Sequence, residues 1–413
     1  TVPPLWTGLA GVLLTCLFLP DPRYELAFAA LCVGAATAGI MSASPLLTVA
    51  LLQGCALLTL AGLVIRAERP GGNSLLSIAT ALKYITLTVV SAACLVMALL
   101  LSNFYALNQD RLELPRIIVA VLIVGFGLAV GMMPLYFHLP DLFDAAPIVT
   151  TASFIGPLQC LGVVYLIRSA GNWPWLLADD HVTSVLPWGA LGGALLAGAL
   201  SFGQRNLHRV LAFNAIRETG WLAFGLGSVT QAGWSGALIL LAGRCIGQPL
   251  LLAAIGVLEL PGRDGLTHSD GAARYRPIAS VGWTVGIIAT IGIPPTTNFW
   301  GLEGLFRGSL AAGWFAPALL LSSALLALWR FGQVTLPLLW TGFSMPRIAF
   351  RSLPPAPAEA DGRPPGDPAP DREPAALAWL VGSLAFGVVV GGLVPRLFSG
   401  AVSDTLIGFS FLR

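Results

Sequence analysis

GMMPLYFHLPD, residues 131–141, interrupts one long apolar run, and GIPPTTNFWG, residues 292–301, interrupts another. Each pairs a glycine with prolines (Gly131 with Pro134 and Pro140, Gly292 with Pro294 and Pro295) inside sequence that is otherwise helix-forming. Proline removes a helix hydrogen bond, and irregular backbone at membrane depth survives only where it is buried in protein or lines a wet cavity. A matched pair of broken helices in two halves of a chain points to an internally repeated transporter architecture. Two independent proline kinks are the plainer alternative.

The membrane itself is read from composition. Of 413 residues, 56% are hydrophobic and 10% charged, against roughly 25% charged in a soluble domain. Apolar runs of about twenty residues recur, the helical length that crosses ~30 Å of hydrocarbon. They fall near residues 5–20, 25–42, 45–65, 78–102, 115–138, 147–167, 184–203, 209–229, 233–258, 277–300, 312–342 and 376–396. The expectation is therefore an all-α polytopic membrane protein with about twelve transmembrane helices, two of them broken by proline in internally repeated halves. The first run lacks a basic flank and a small-residue cleavage site, so it reads as a membrane helix rather than a signal peptide.

Arginine is unevenly spread. The loops after alternate spans hold Arg23, Arg66, Arg69, Arg205, Arg209, Arg263, Arg274, Arg276, Arg347, Arg351, Arg363 and Arg372, whereas the opposite loops hold Arg111, Arg116, Arg168, Arg307, Arg396 and Arg413. The positive-inside rule makes the richer face cytoplasmic and puts both ends of the chain outside. A bacterial-type cytoplasmic (inner) membrane is the expected location. The net charge of +2 offers no basic field for phosphates, so nucleic acid is excluded as a partner. Residues 343–375, including RSLPPAPAEADGRPPGDPAP at 351–370, mix proline, glycine and charge and read as a flexible cytoplasmic linker. The expected division is residues 1–43 as N-terminal membrane helices, 44–342 as the core, the linker at 343–375, and 376–413 as a last helix with an interfacial tail that touches lipid or a partner.

The sequence holds no dedicated chemistry. Cys16, Cys32, Cys55, Cys94, Cys160 and Cys245 lie in apolar runs without CxxC spacing and read as small core residues. His138, His181, His208 and His268 form no metal-binding pair. Neither a nucleophile with its base nor a cofactor fingerprint is present, so no cofactor, no metal and no independent catalysis are expected. Glycine-rich runs such as GALGGALLAGAL, residues 189–200, lack a following GKS or GKT and read as close helix packing.

Four longer motifs carry a resemblance. ALKYITLTVVSAACLVMALL (81–100), VGFGLAVGMMPLYFHLPDLFDAAP (124–147), RNLHRVLAFNAIRETGWLAFGLG (205–227) and GIPPTTNFWGLEGLF (292–306) occur in this order. Together they resemble the antiporter-like membrane subunits shared by respiratory complex I, membrane-bound hydrogenases and Mrp-type cation/proton antiporters. The N-terminal part looks about two helices shorter than that pattern. In such subunits a glutamate and several lysines at membrane depth relay protons. Matched to the motifs, the glutamate position falls on Ala56, and the lysine positions fall on Ala129, Gln159, Gln248 and Leu302. An amide holds water but does not exchange a proton near neutral pH, so the resemblance implies a degenerate proton path.

The charges that remain are few. Lys83 is the only lysine and stands in the ALKY motif; it reads either as a retained relay cation facing a carboxylate or as a lysine snorkelling to the interface. Arg217, Glu218, Arg244 and Arg330 fall inside spans and need partners. Glu218 is expected to face Arg244, and Glu303 to face Arg330, as fixed ion pairs, because arginine does not shuttle protons at neutral pH. His138, Asp141 and Asp144 flank the first break, where they read as a proton-entry cluster near the outer end of a half-channel or as a plain helix cap. The leading functional expectation is a structural or coupling subunit of a redox-coupled or ion-translocating complex, with other membrane subunits and lipid as partners. Alternatives are an active transporter using Lys83, Glu218, His138 and Glu303, or a membrane partner of a soluble zinc protein in inorganic-carbon uptake.

Overall fold

The computed structural model describes residues 23–42, 44–67, 74–108, 113–146, 148–153, 156, 158–177, 180–259, 276–339, 375–396, 399–400, 402 and 406. The first expected span and the proline-rich linker lie outside these residues. Helices α1 (Arg23–Met41), α2 (Pro45–Ala67), α3 (Ser74–Leu107) and α4 (Leu114–Val130) lead into short α5 (Leu139–Ala145). Next come α6 (Ile148–Ser153), α7 (Gln159–Asn172), α8 (Asp180–Leu200), α9 (Leu207–Gly227) and α10 (Gln231–Leu258). The last are α11 (Pro277–Ile291), α12 (Thr297–Leu310), α13 (Phe315–Leu339) and α14 (Ala375–Leu393). Helices α2, α3, α8, α10 and α13 each contain a stretch long and apolar enough to cross a membrane.

Both interruptions divide a helix in two. α4 stops at Gly131, whose φ of 69° is left-handed, and α5 resumes after the proline segment. α11 stops at Gly292, with a φ of 83°, and α12 resumes at Thr297. A residue with a side chain is strained in that backbone region, so glycine is the natural stop. The two spans expected to be broken by proline are broken there: 277–300 holds α11 and the start of α12, and 115–138 holds α4, with α5 beginning just beyond it. Within the span expected over 147–167 lie α6 and α7.

The same order occurs twice. In the first half α1 packs on α2, α2 on α3, and α3 on both α4 and α5; in the second α8 packs on α9, α9 on α10, and α10 on both α11 and α12. α10 is the axis of the second half, buried along most of its length. Its tightest seam, against α12, is made of glycine: a Cβ on Gly236 would lie 2.5 Å from the backbone nitrogen of Leu305 and 2.7 Å from the carbonyl oxygen of Gly301. Small residues let helix backbones touch where lipid supplies no hydrophobic drive. The glycine run at 189–200 contributes less than its composition suggests: Gly193 meets Met133 and Gly198 meets Leu326, but Gly189 and Gly192 border open space. Among the described cysteines Cys32, Cys55, Cys160 and Cys245 are buried as free thiols, and the Cys160 and Cys245 sulfurs lie 3.3 Å apart.

Candidate functional site: a buried charge cluster beside two broken helices

Each break sets a proline four residues beyond a helical carbonyl. In an α-helix the carbonyl of residue i accepts from the amide of residue i+4. For Val130 that residue is Pro134, and for Thr290 it is Pro294, neither of which has an N–H to give. Side chains from other helices replace the missing donors. Gln159 on α7 donates from Nε2 to the Val130 oxygen at 2.8 Å, and Arg217 on α9 donates from Nη2 to the Thr290 oxygen at 3.1 Å. Gln159, a position where the resemblance places a relay lysine, therefore mends a broken helix. Sequence reasoning missed this role, although the signal was present as Pro134 and Pro294, each four residues after the carbonyl it leaves without a donor.

Arg217 opens the central cluster. Its Nη2 and Nε also donate to Asn214 Oδ1, at 2.7 and 3.2 Å, and its guanidinium carbon sits 4.1 Å from the centre of the Trp221 ring. One residue on, Glu218 is expected to pair with Arg244, and the structure makes that pair: Arg244 Nε lies 3.3 Å from Oε2, with both side chains fully buried. Gln248, one turn along α10 from Arg244, donates to the same oxygen at 2.9 Å, and Asn214 reaches Oε1 at 3.5 Å. Arg244 further donates to Thr219 Oγ1 at 2.9 Å and to the Ala215 carbonyl at 3.0 Å. Both oxygens of Glu218 thus face donors held by α9 and α10. A buried carboxylate so engaged is a structural anchor, and an arginine partner holds its proton.

The expected Glu303–Arg330 pair does not form. Glu303 on α12 pairs with Arg307 one turn later on the same helix, and Arg330 on α13 donates to the Gln204 carbonyl and, at 3.2 Å, to Gln333 Oε1. Nearby partners on the same helix or at a helix end win, because a contact across the bundle would have to order two long side chains at greater entropic cost.

The groups around the first break also sort differently from the expectation. His138 is buried, 1% exposed, with its ring 5.9 Å from that of Tyr84. Asp141 instead binds Lys83 Nζ at 2.6 Å and lies 3.6 Å from Arg209 Nη2. Asp144 accepts from Arg209 Nε at 3.1 Å and from Asn206 Nδ2 at 2.7 Å. Both carboxylates are drawn to Arg209, and His138 faces the core. Lys83 faces a carboxylate, as one of its two sequence readings expects, and its side chain is 41% exposed on the isolated chain. Beside Arg209 in sequence, His208 Nε2 meets Glu259 Oε1 at 2.7 Å, a buried pair joining the start of α9 to the end of α10 that the sequence reading left without a role.

Ala56 and Ala129 are packed into the core, Leu302 lies against it, and Gln248 is buried in the cluster just described. The four motifs, the two Gly-Pro breaks and the twice-repeated helix order meet in one chain. Residues 43–327 match the family described as NADH:quinone oxidoreductase/Mrp antiporter, TM. The chain belongs to this family. It is 27% identical over 316 residues to NADH-quinone oxidoreductase subunit N of Heliobacterium modesticaldum, covering 72% of this chain and 65% of that protein. Over 283 residues it is 26% identical to one of the Na(+)/H(+) antiporter subunits of Bacillus subtilis, covering 65% and 57% respectively. The chain spans about half the length of most of the curated relatives it matches.

The fold is also that of solved NADH:quinone oxidoreductase/Mrp antiporter assemblies. A chain of respiratory complex I from Thermus thermophilus with bound NADH superposes with a TM-score of 0.80 at 17% identity, covering 98% of this chain and 83% of that one. A chain of the Mrp complex from Dietzia sp. DQ12-45-1b gives 0.76 at 18% identity, covering 99% and 84%. The protein is accordingly an all-α, polytopic, antiporter-like membrane protein.

Proposed function

We propose that the chain is an antiporter-like subunit of a multi-subunit redox-coupled or ion-translocating complex in a bacterial-type cytoplasmic membrane, and that it serves as a structural or coupling element with a degenerate proton path of its own. The observation that carries this reading is the state of Glu218. It is the acidic group buried in the central cluster, it is held by Arg244 and Gln248, and the lysine positions of the resemblance are filled by Ala129, Gln159, Gln248 and Leu302. A relay needs neighbouring groups that exchange protons near neutral pH, whereas amides and arginines hold theirs. Partner membrane subunits, and any redox chemistry they bring, follow from the kinds of complex in which the relatives occur.

The experiment is purification of the native protein in a mild detergent, identification of everything that accompanies it in fixed ratio, and reconstitution of the isolated chain in liposomes with an internal pH dye. Redox or ion-translocating subunits in fixed stoichiometry, together with proton leakage no greater than that of empty liposomes, are expected. A proton flux through the isolated chain that Lys83→Ala abolishes would overturn the structural role in favour of transport through the Lys83–Asp141 pair. A lone soluble zinc protein as the constant companion would move the reading to inorganic-carbon uptake.

A further inference from the structure

Two thiols from helices far apart in sequence meet in the core. Cys160 stands in the first turn of α7, which packs on α2 and α4, and Cys245 stands inside α10, the axis of the second half. Both are free and buried, 2% and 3% exposed, and their sulfurs lie 3.3 Å apart although 85 residues separate them in sequence. At that distance no atom stands between them. A disulfide bond is about 2.05 Å long, so roughly 1.2 Å of further approach closes it. The first turn of α7 is the place to supply that movement, because its amides have no carbonyl partner further back in the helix.

The surroundings decide which reagents matter. Thiol oxidation proceeds through the thiolate, and Arg244, the chain neighbour of Cys245, interacts electrostatically with both thiols, so a fixed positive charge is at hand as the anion forms. A neutral hydroperoxide dissolves in a bilayer. Glutathione and thioredoxin, which keep cytosolic thiols reduced, are charged or large, and exchange requires direct access to a disulfide sulfur. A disulfide formed here is shielded from them.

We propose that Cys160 and Cys245 are a site of oxidative modification, at which a neutral hydroperoxide joins α7 to α10 through a disulfide. One thiol sulfur attacks the terminal peroxide oxygen, the O–O bond breaks, and the leaving oxygen takes the thiol proton to depart as an alcohol, leaving a sulfenic acid. The second sulfur attacks the sulfenic sulfur, the S–O bond breaks, and the hydroxyl leaves as water with the second thiol proton. Two thiols thereby lose two electrons, and one hydroperoxide becomes one alcohol and one water. The bond fixes two neighbouring contacts relative to one another: Gln159, just before Cys160, holds the Val130 carbonyl, and Arg244 holds Glu218. The proposal rests on this geometry and not on whether the chain carries protons.

The probe is tert-butyl hydroperoxide. The full chain, with whatever subunits accompany it, is reconstituted in phospholipid vesicles and treated until Met97 on α3, 51% exposed, becomes its sulfoxide, which reports that the peroxide has reached the protein's lipid-facing surface. On unfolding in SDS with a maleimide, the number of alkylated thiols should fall by two from six, and proteolytic fragments should be found linked through Cys160 and Cys245. Glutathione should restore the lost thiols after unfolding but not in intact vesicles. In Cys160→Ser the oxidation should stop at a Cys245 sulfenic acid, trapped by dimedone; should that variant fail to fold, the linked fragments of the unaltered protein decide. Six alkylated thiols alongside oxidised Met97, or a loss confined to a link between Cys32 and Cys55, would overturn the inference. A Cys160–Cys245 link that glutathione reverses in intact vesicles would overturn the shielded site.

Discussion

Glu218→Gln is the substitution that most directly probes the central cluster. At a separation of 3.3 Å, the attraction between Arg244 and Glu218 is about 5 kcal/mol for an effective dielectric near 20. The substitution keeps the volume and leaves an oxygen to accept, but it strands two fully buried guanidiniums, Arg217 and Arg244, with no carboxylate between them. Removing one member of a buried pair costs about 3–5 kcal/mol. A loss of about 3 kcal/mol is roughly a hundredfold change in the folded-to-unfolded ratio. The assay is equilibrium unfolding in mixed micelles of mild and denaturing detergent, followed by tryptophan fluorescence, for which Trp221 on the same helix is a local reporter. Arg244→Met in the Glu218→Gln background should recover part of the loss, because it removes the stranded charge, and the double-mutant cycle should give a coupling above about 1 kcal/mol. A loss below about 1 kcal/mol for Glu218→Gln, or a double variant whose effects simply add, would refute the view that this pair holds α9 to α10.

Three further outcomes follow from the same geometry. Gln159→Leu should cost about 1–3 kcal/mol by leaving the buried Val130 carbonyl without a donor, and Gln159→Lys, which retains a donor, should recover most of it; wild-type unfolding for Gln159→Leu would show that the carbonyl needs no partner. Gly236→Ala should cost about 1–3 kcal/mol, because the added carbon meets the backbone of α12 at 2.5 Å, and a thermal midpoint equal to that of the parent protein would contradict the glycine seam. Lys83→Gln should change stability by less than about 1 kcal/mol, since both members of its pair are partly exposed, and that small effect should shrink as salt is raised; a larger loss that persists at high salt would mean that Lys83 is engaged in the interior.

The helical, membrane-spanning character was legible because it is a one-dimensional property. A run of about twenty apolar residues has to be helical to satisfy its own backbone in lipid. The two breaks were equally legible, since Gly131 and Gly292 with their following prolines act locally. Partner choice was less so. Glu218 and Arg244 were paired correctly from the sequence, two charges on consecutive helices that have to meet within the bundle. Glu303 and Arg330 were paired wrongly because each had a nearer alternative, Arg307 and the Gln204 carbonyl, that only the packed bundle brings into view. His138 was grouped with Asp141 and Asp144 by their nearness in sequence, yet the turn before α5 sends the imidazole inward toward Tyr84 and the carboxylates outward toward Arg209.

The sequence by itself determined that Val130 and Thr290 would each lose a donor, because Pro134 and Pro294 stand where the amides should be. It did not determine that Gln159 and Arg217 would supply the replacements. A missing hydrogen bond is a property of one helix and its covalent neighbours, whereas its replacement depends on which side chain of another helix arrives within hydrogen-bonding reach, and that distance exists only once the helices have packed.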